Sequence, residues 1–134
     1  MSCVFCDDPA RAGDVVFEDA QTFVVLHEDW SVRGHVMIVA KRHVENASDL
    51  YADEWAHFTR IWQQTERVLL ELTHADRAIA LKLGIQTPHL HVHLYPVAAT
   101  ATREEVFAAI EGKTRAPRDE EFVAKLKRVL SPRA

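Results

Sequence analysis

His89-Leu90-His91-Val92-His93-Leu94-Tyr95-Pro96 is the stretch on which the fold turns. Side chains on a β-strand alternate between faces, so His89, His91 and His93 share one face and Leu90, Val92 and Leu94 share the other. The aliphatic face asks for a covering layer. Residues two apart on a strand stand about 6 to 7 Å from each other, so neighbouring imidazoles can serve one ligand in sequence. With an unperturbed pKa of about 6.5, such a row is expected to hold neutral and protonated members together near neutral pH. A neutral His91 nitrogen can then displace a leaving group from phosphorus, giving a phosphoramidate that water cleaves in a second, easier step. Three histidines are equally a set of metal ligands, and the strand alone leaves catalysis and metal binding close together.

Outward from this strand, Val15-Val16-Phe17-Glu18 and Thr22-Phe23-Val24-Val25-Leu26 read as a hairpin joined through Asp19-Ala20-Gln21. Ser31-Val32-Arg33-Gly34 is a turn into the β-branched run His35-Val36-Met37-Ile38-Val39-Ala40, a central strand. From Asp49 to about Leu72, apolar residues recur at three- and four-residue intervals and predict one long amphipathic helix, with Trp55 and Trp62 as core residues on its stripe. Ala78 to Leu83 reads as a strand, Gly84 to Pro88 as a loop, and Pro96 as the end of the triad strand. Thr102-Arg103-Glu104-Glu105 has the spacing of a capping box, and Phe122, Val123, Leu126, Val129 and Leu130 mark a closing helix. Gly112 to Arg118 is a basic loop between these helices that is mostly solvent-facing but can close over a phosphate chain. His57 and His74 are expected at the surface.

The 134 residues fit one domain over 1–134, with a core at about 3–96 and a helical extension at about 100–134. A net charge of −4 argues against a broad grip on nucleic acid polymers while permitting a local cationic pocket. No apolar run reaches the length of a transmembrane helix, and Met1-Ser2-Cys3 has no leader signature. The cytoplasm is therefore the default expectation. The only cysteines form Cys3-Val4-Phe5-Cys6, a spacing that in this context favours metal binding or redox chemistry over a disulfide.

Together, His89-Leu90-His91-Val92-His93-Leu94-Tyr95-Pro96 and Gly34-His35-Val36-Met37-Ile38-Val39-Ala40-Lys41-Arg42-His43 resemble the histidine triad (HIT) family over roughly residues 3 to 96. The resemblance implies an α+β fold with an antiparallel sheet covered by one long helix, usually a homodimer. It also implies hydrolysis or transfer of nucleotidyl groups on a small-molecule nucleotide, without an organic cofactor, on phosphoramidates or dinucleoside polyphosphates. Carried over by position, His91 is the nucleophile, His93 contacts the transferred phosphoryl group and His35 orients its partners. Many bacterial relatives bind structural zinc at positions matching Cys3, Cys6, His43 and His89; ordinary reduced cysteines beside a surface His43 are the alternative.

The departures from the family pattern concern the substrate. Relatives commonly hold a ribose with an aspartate where this chain has His27, and with an asparagine where it has Ile79. The frequent Gly-Gln-Ser/Thr loop is here Gly84-Ile85-Gln86-Thr87-Pro88. Gln86, Gly84 and His27 are therefore the candidate substrate contacts, with Gln86 donating to a phosphate oxygen and Gly84 allowing close backbone approach. Lys41 and Arg42 are expected to form a solvated edge.

Overall fold

A computed structural model describes residues 3–131; Met1 and Ser2, and residues 132–134 of the single-domain assignment, lie outside the described residues. Five antiparallel strands run β1 (Gly13–Glu18), β2 (Thr22–His27), β3 (Val36–Ala40), β4 (Arg77–Leu81) and β5 (His91–Val97), in the order β1-β2-β3-β5-β4. The β1–β2 hairpin is tied by Asp19, whose carboxylate accepts the backbone N–H of Gln21 at 2.9 Å and of Thr22 at 2.8 Å. His57 Nε2 reaches the same carboxylate at 2.7 Å, so this histidine braces the hairpin from the long helix instead of lying free at the surface. A bulge between Val15 and Phe17 turns Val16 inward.

The faces of the sheet bury different material. On one, Leu90, Val92 and Leu94 join Val24, Leu26, Val36 and Ile38 beneath α2 (Ala52–Thr73) and α4 (Glu120–Leu130). α2 meets them through Phe58, Ile61, Thr65 and Leu69, spaced at three and four residues. Trp55, one turn earlier, does not enter the core: it is 42% exposed and stacks on Phe58. Trp62 packs half-buried against the cluster. The expected helix start at Asp49 is also displaced. Asp49 closes a separate 3-10 turn (Ala47–Asp49) by accepting the Asn46 N–H at 3.0 Å, and α2 begins only after the Glu54 carboxylate takes the Tyr51 N–H at 2.8 Å.

Pro96 does not end the triad strand. β3 pairs with β5 only as far as Leu94, so at Pro96 the strand is flanked by β4 alone and a missing N–H is tolerated there. Thr102 caps α3 (Arg103–Ile110) by accepting the Glu105 N–H at 3.1 Å, as the capping box requires. The loop to α4 is fastened to the β2–β3 connection, where Thr114 Oγ1 donates to Ser31 O at 2.6 Å, and to β1, where Arg118 pairs with Asp14 at 2.9 Å. The opposite sheet face carries a smaller cluster of Val25, Met37 and Val39, closed by Phe5 from the short amino-terminal helix α1 (Val4–Asp7).

Candidate functional site

His89 stands two residues before β5, where the backbone of Leu90 donates to Val44 O at 2.6 Å and binds the segment after β3 alongside it. This brings His43 to His89, with their Nδ1 atoms 3.0 Å apart. Cys3 Sγ lies 3.3 Å from the same His89 nitrogen, and Cys6 Sγ lies 3.2 Å from His43 Nδ1. All four donor atoms fall within 4.8 Å of one another. Zinc at about 2.3 Å from sulfur and about 2.0 to 2.1 Å from nitrogen would hold such donors at comparable separations, so the set fits a tetrahedral ion. His89 is oriented for it: its Nε2–H donates to Ala40 O at 2.5 Å, which leaves the Nδ1 lone pair directed at the cluster.

His91 and His93 face elsewhere. Among the described residues no cluster unites the three triad histidines around one ion; the candidate set takes His89 alone from the triad. His91 Nδ1–H donates to the backbone oxygen of His89 at 2.6 Å, so Nε2 carries the free lone pair. His93 Nδ1 and His35 Nε2 share a hydrogen bond of 2.9 Å. Tyr95 stacks on His35 from one side at 4.1 Å between centroids and His27 from the other at 4.6 Å, so a column of rings fixes its plane. Gly34 permits the approach to His35: its φ is +87°, and a β-carbon there would stand 3.0 Å from Thr73 Cγ2.

These rings open on a cleft of about 570 Å³ that collects His27, His35, Gly84, Gln86, His91 and His93. His91 is 7% exposed, so access to it is through this cleft. Gly84 sits at φ +66°, and a β-carbon added to it would meet only the Thr87 oxygen, at 3.8 Å, which leaves open room beside its backbone. His27 receives the Asp29 N–H on Nδ1 at 3.0 Å. Arg115 reaches the cleft but spends its guanidinium on Gly112 O and Thr114 O, at 2.6 and 2.8 Å. Lys41 pairs with Glu18 at 2.7 Å and Arg42 with Glu54 at 2.7 Å, a solvated edge away from this cleft.

The expected mixture of neutral and charged imidazoles does not occur. Burial, reinforced by His27 and His93, lowers His35 to about 2; burial, with His91 and His27, lowers His93 to about 3. Burial lowers His91 as well, against the opposing hydrogen bond to His89. All three rings are neutral at pH 7, and an arriving phosphate anion would pull them upward.

The family model for the HIT domain matches residues 9–100. The chain belongs to the histidine triad family. An uncharacterised HIT-like protein of Mycobacterium tuberculosis is 30% identical over 103 residues, covering 72% of each chain. One of Methanocaldococcus jannaschii is 28% identical over 103 residues, covering 70% of this chain and 78% of its own. Among solved structures, a histidine triad protein from Bradyrhizobium japonicum superposes with a TM-score of 0.76 at 19% identity, covering 92% of this chain and 95% of its own. A Zn-bound histidine triad family protein from Mycobacterium smegmatis gives 0.72 at 23%, covering 97% and 94%. At such identities the likenesses establish the fold, and it is the α+β HIT fold. Two residues of this HIT protein's site carry too little signal to be found from sequence. Tyr95 has only that of an apolar motif position, and Phe5 only that of an apolar residue enclosed by two cysteines.

Proposed function

We propose that this HIT protein is a nucleotide phosphohydrolase or nucleotidyl transferase that cleaves a phosphoramidate or phosphoanhydride bond through a covalent nucleotidyl-histidine on His91. Family membership supports a nucleotide-directed, hydrolase-type function. The observation that carries the finer reading is the hydrogen bond from His91 Nδ1–H to the His89 carbonyl, which frees Nε2 toward the cleft. The Nε2 lone pair forms a bond to phosphorus as the bond to the leaving oxygen or nitrogen breaks, and the departing group takes a proton from solvent, which the attacking water gives back in the second step. Water then attacks phosphorus, the N–P bond breaks, and neutral His91 is restored. His93 contacts the non-bridging oxygens, His35 orients His93, and Gln86, Gly84 and His27 line the substrate's path.

Cys3, Cys6, His43 and His89 are assigned to structural zinc, supported by their donor chemistry and by the zinc of the M. smegmatis protein. Bound there, zinc supplies a crosslink between the amino terminus and the sheet. No organic cofactor, membrane or nucleic acid polymer enters the reading; a cytoplasmic homodimer is part of it. Incubation with nucleoside phosphoramidates and dinucleoside polyphosphates is expected to release mononucleotide, with His91→Ala at least about a hundredfold slower. Equal turnover in that variant defeats the assignment.

A second reading, a zinc-stabilised nucleotide-binding or regulatory protein with little catalysis, is favoured by one observation. His27 offers an imidazole where a ribose-holding carboxylate is usual, and Ile79 is half-buried in β4 opposite Tyr95. Nucleotide binding without turnover would support it.

A further inference from the structure

We propose that the Cys3/Cys6/His43/His89 centre is a positioning device for the His91 nucleophile, and that Phe5 is the side chain through which it acts. The inference rests on the reading of His91 as nucleophile and extends it to residues that never touch phosphorus.

Two connections join the centre to His91. The first is His89, whose ring belongs to the donor set while its backbone oxygen accepts the His91 Nδ1–H at 2.6 Å. A rotation of the His89 backbone that breaks this bond therefore releases the restraint on which His91 nitrogen carries the lone pair. The second is Phe5, enclosed by the two thiols in the sequence. Its ring lies 4.9 Å from that of His91, tilted by 54°, and 5.6 Å from that of His89, tilted by 59°. Phe5 is 4% exposed, packs on Val25, Met37 and Val39, and lines the cleft together with Val4.

The segment that carries Phe5 has little to hold it by itself. α1 is four residues long, well below the length at which a helix sustains itself. Its local restraints are the contact from Cys3 N to the Asp7 carboxylate at 3.3 Å and a single turn of backbone bonds, Cys6 N to Cys3 O at 3.1 Å, Asp7 N to Cys3 O at 2.8 Å and Asp8 N to Val4 O at 2.8 Å. A metal at the four donors anchors both ends of the Cys3–Cys6 turn, presses Phe5 onto the His91 ring and fixes the His89 backbone beneath it. His93 closes the remaining side, edge to face at 5.0 Å. Without the metal, Phe5 can lift and His91 can turn, exchanging its two neutral tautomers.

The test compares zinc-loaded wild type, chelator-treated wild type, and zinc-loaded Phe5→Ala and Phe5→Leu, with bound zinc counted in each. Ring-nitrogen NMR of His91 is read beside steady-state kinetics. Zinc-loaded wild type is expected to show one tautomer, with the proton on Nδ1. Chelated wild type and Phe5→Ala are expected to show averaged nitrogens, with Phe5→Ala keeping its zinc and losing about tenfold to a hundredfold in kcat at little-changed KM. Phe5→Leu, which refills most of the volume, is expected to recover most of both signals. A merely structural zinc and Phe5 would lower thermal stability while the folded protein kept a single His91 tautomer and full kcat, and that result overturns the proposal. If zinc-free protein unfolds, the zinc-loaded Phe5→Ala arm decides. Absence of turnover in wild type defeats the catalytic reading alone, because the tautomer measurement still tests the coupling; turnover with an unchanged Phe5→Ala spectrum defeats the coupling alone.

Discussion

The two faces of β5 are built from alternate residues of one strand, yet they obey different rules. On the aliphatic face, Leu90, Val92 and Leu94 are buried under α2 and α4, and their contribution is volume. On the imidazole face, His91 is buried and His93 half-buried, and what matters is where each ring nitrogen sends its proton. On the proposed function, the fold stores most of its stability on one side of the strand and its chemistry on the other. The two are separable by mutation.

The most severe challenge to that separation is Leu94→Ala. Leu94 is fully buried at 0% exposure, so the cavity left behind should cost about 2 to 5 kcal/mol in urea denaturation. The folded fraction should keep its kcat. His91→Ala should do the reverse, abolishing most turnover with a smaller change in unfolding midpoint. Matching losses of stability and rate in both variants would show that the faces are not independent.

Acid draws the contrast out further. His35 and His93 are held neutral, at about 2 and about 3, whereas the unfolded chain binds their protons below about 6.5. Their contribution is therefore complete above that pH and drains away as pH falls toward 3. Urea midpoints measured at about pH 7 and about pH 5 should drop for wild type, and drop less for His35→Gln. An equal drop in the variant would remove His35 from the account.

The smallest effect belongs to the hairpin that feeds both faces. Asp19 serves two backbone N–H groups, the Thr22 hydroxyl and His57, so Asp19→Ala should lose about 1 to 2 kcal/mol without altering KM. A change in KM would place the hairpin in the substrate's path.

Much of this is legible in the amino-acid sequence. Strict alternation at 89–94 carries both faces of the strand, and the three- and four-residue spacing of Phe58, Ile61 and Leu69 carries the long helix. What stays hidden is decided by tertiary placement. Trp55 has the same spacing as its buried neighbours but stays exposed, stacked on Phe58. Pro96 looks like a terminator until β3 is seen to stop opposite Leu94. α1 is too short for a periodic signal, so nothing local places Phe5 against His91. The neutrality of the triad follows from burial that no local pattern encodes.

The central claim is tested most directly by quenching the protein during turnover of a nucleoside phosphoramidate and sequencing its peptides by mass spectrometry. A single added nucleotidyl group on the imidazole of residue 91, absent from His91→Ala, is the predicted result. Turnover with no such adduct, or with the group on another side chain, would contradict it.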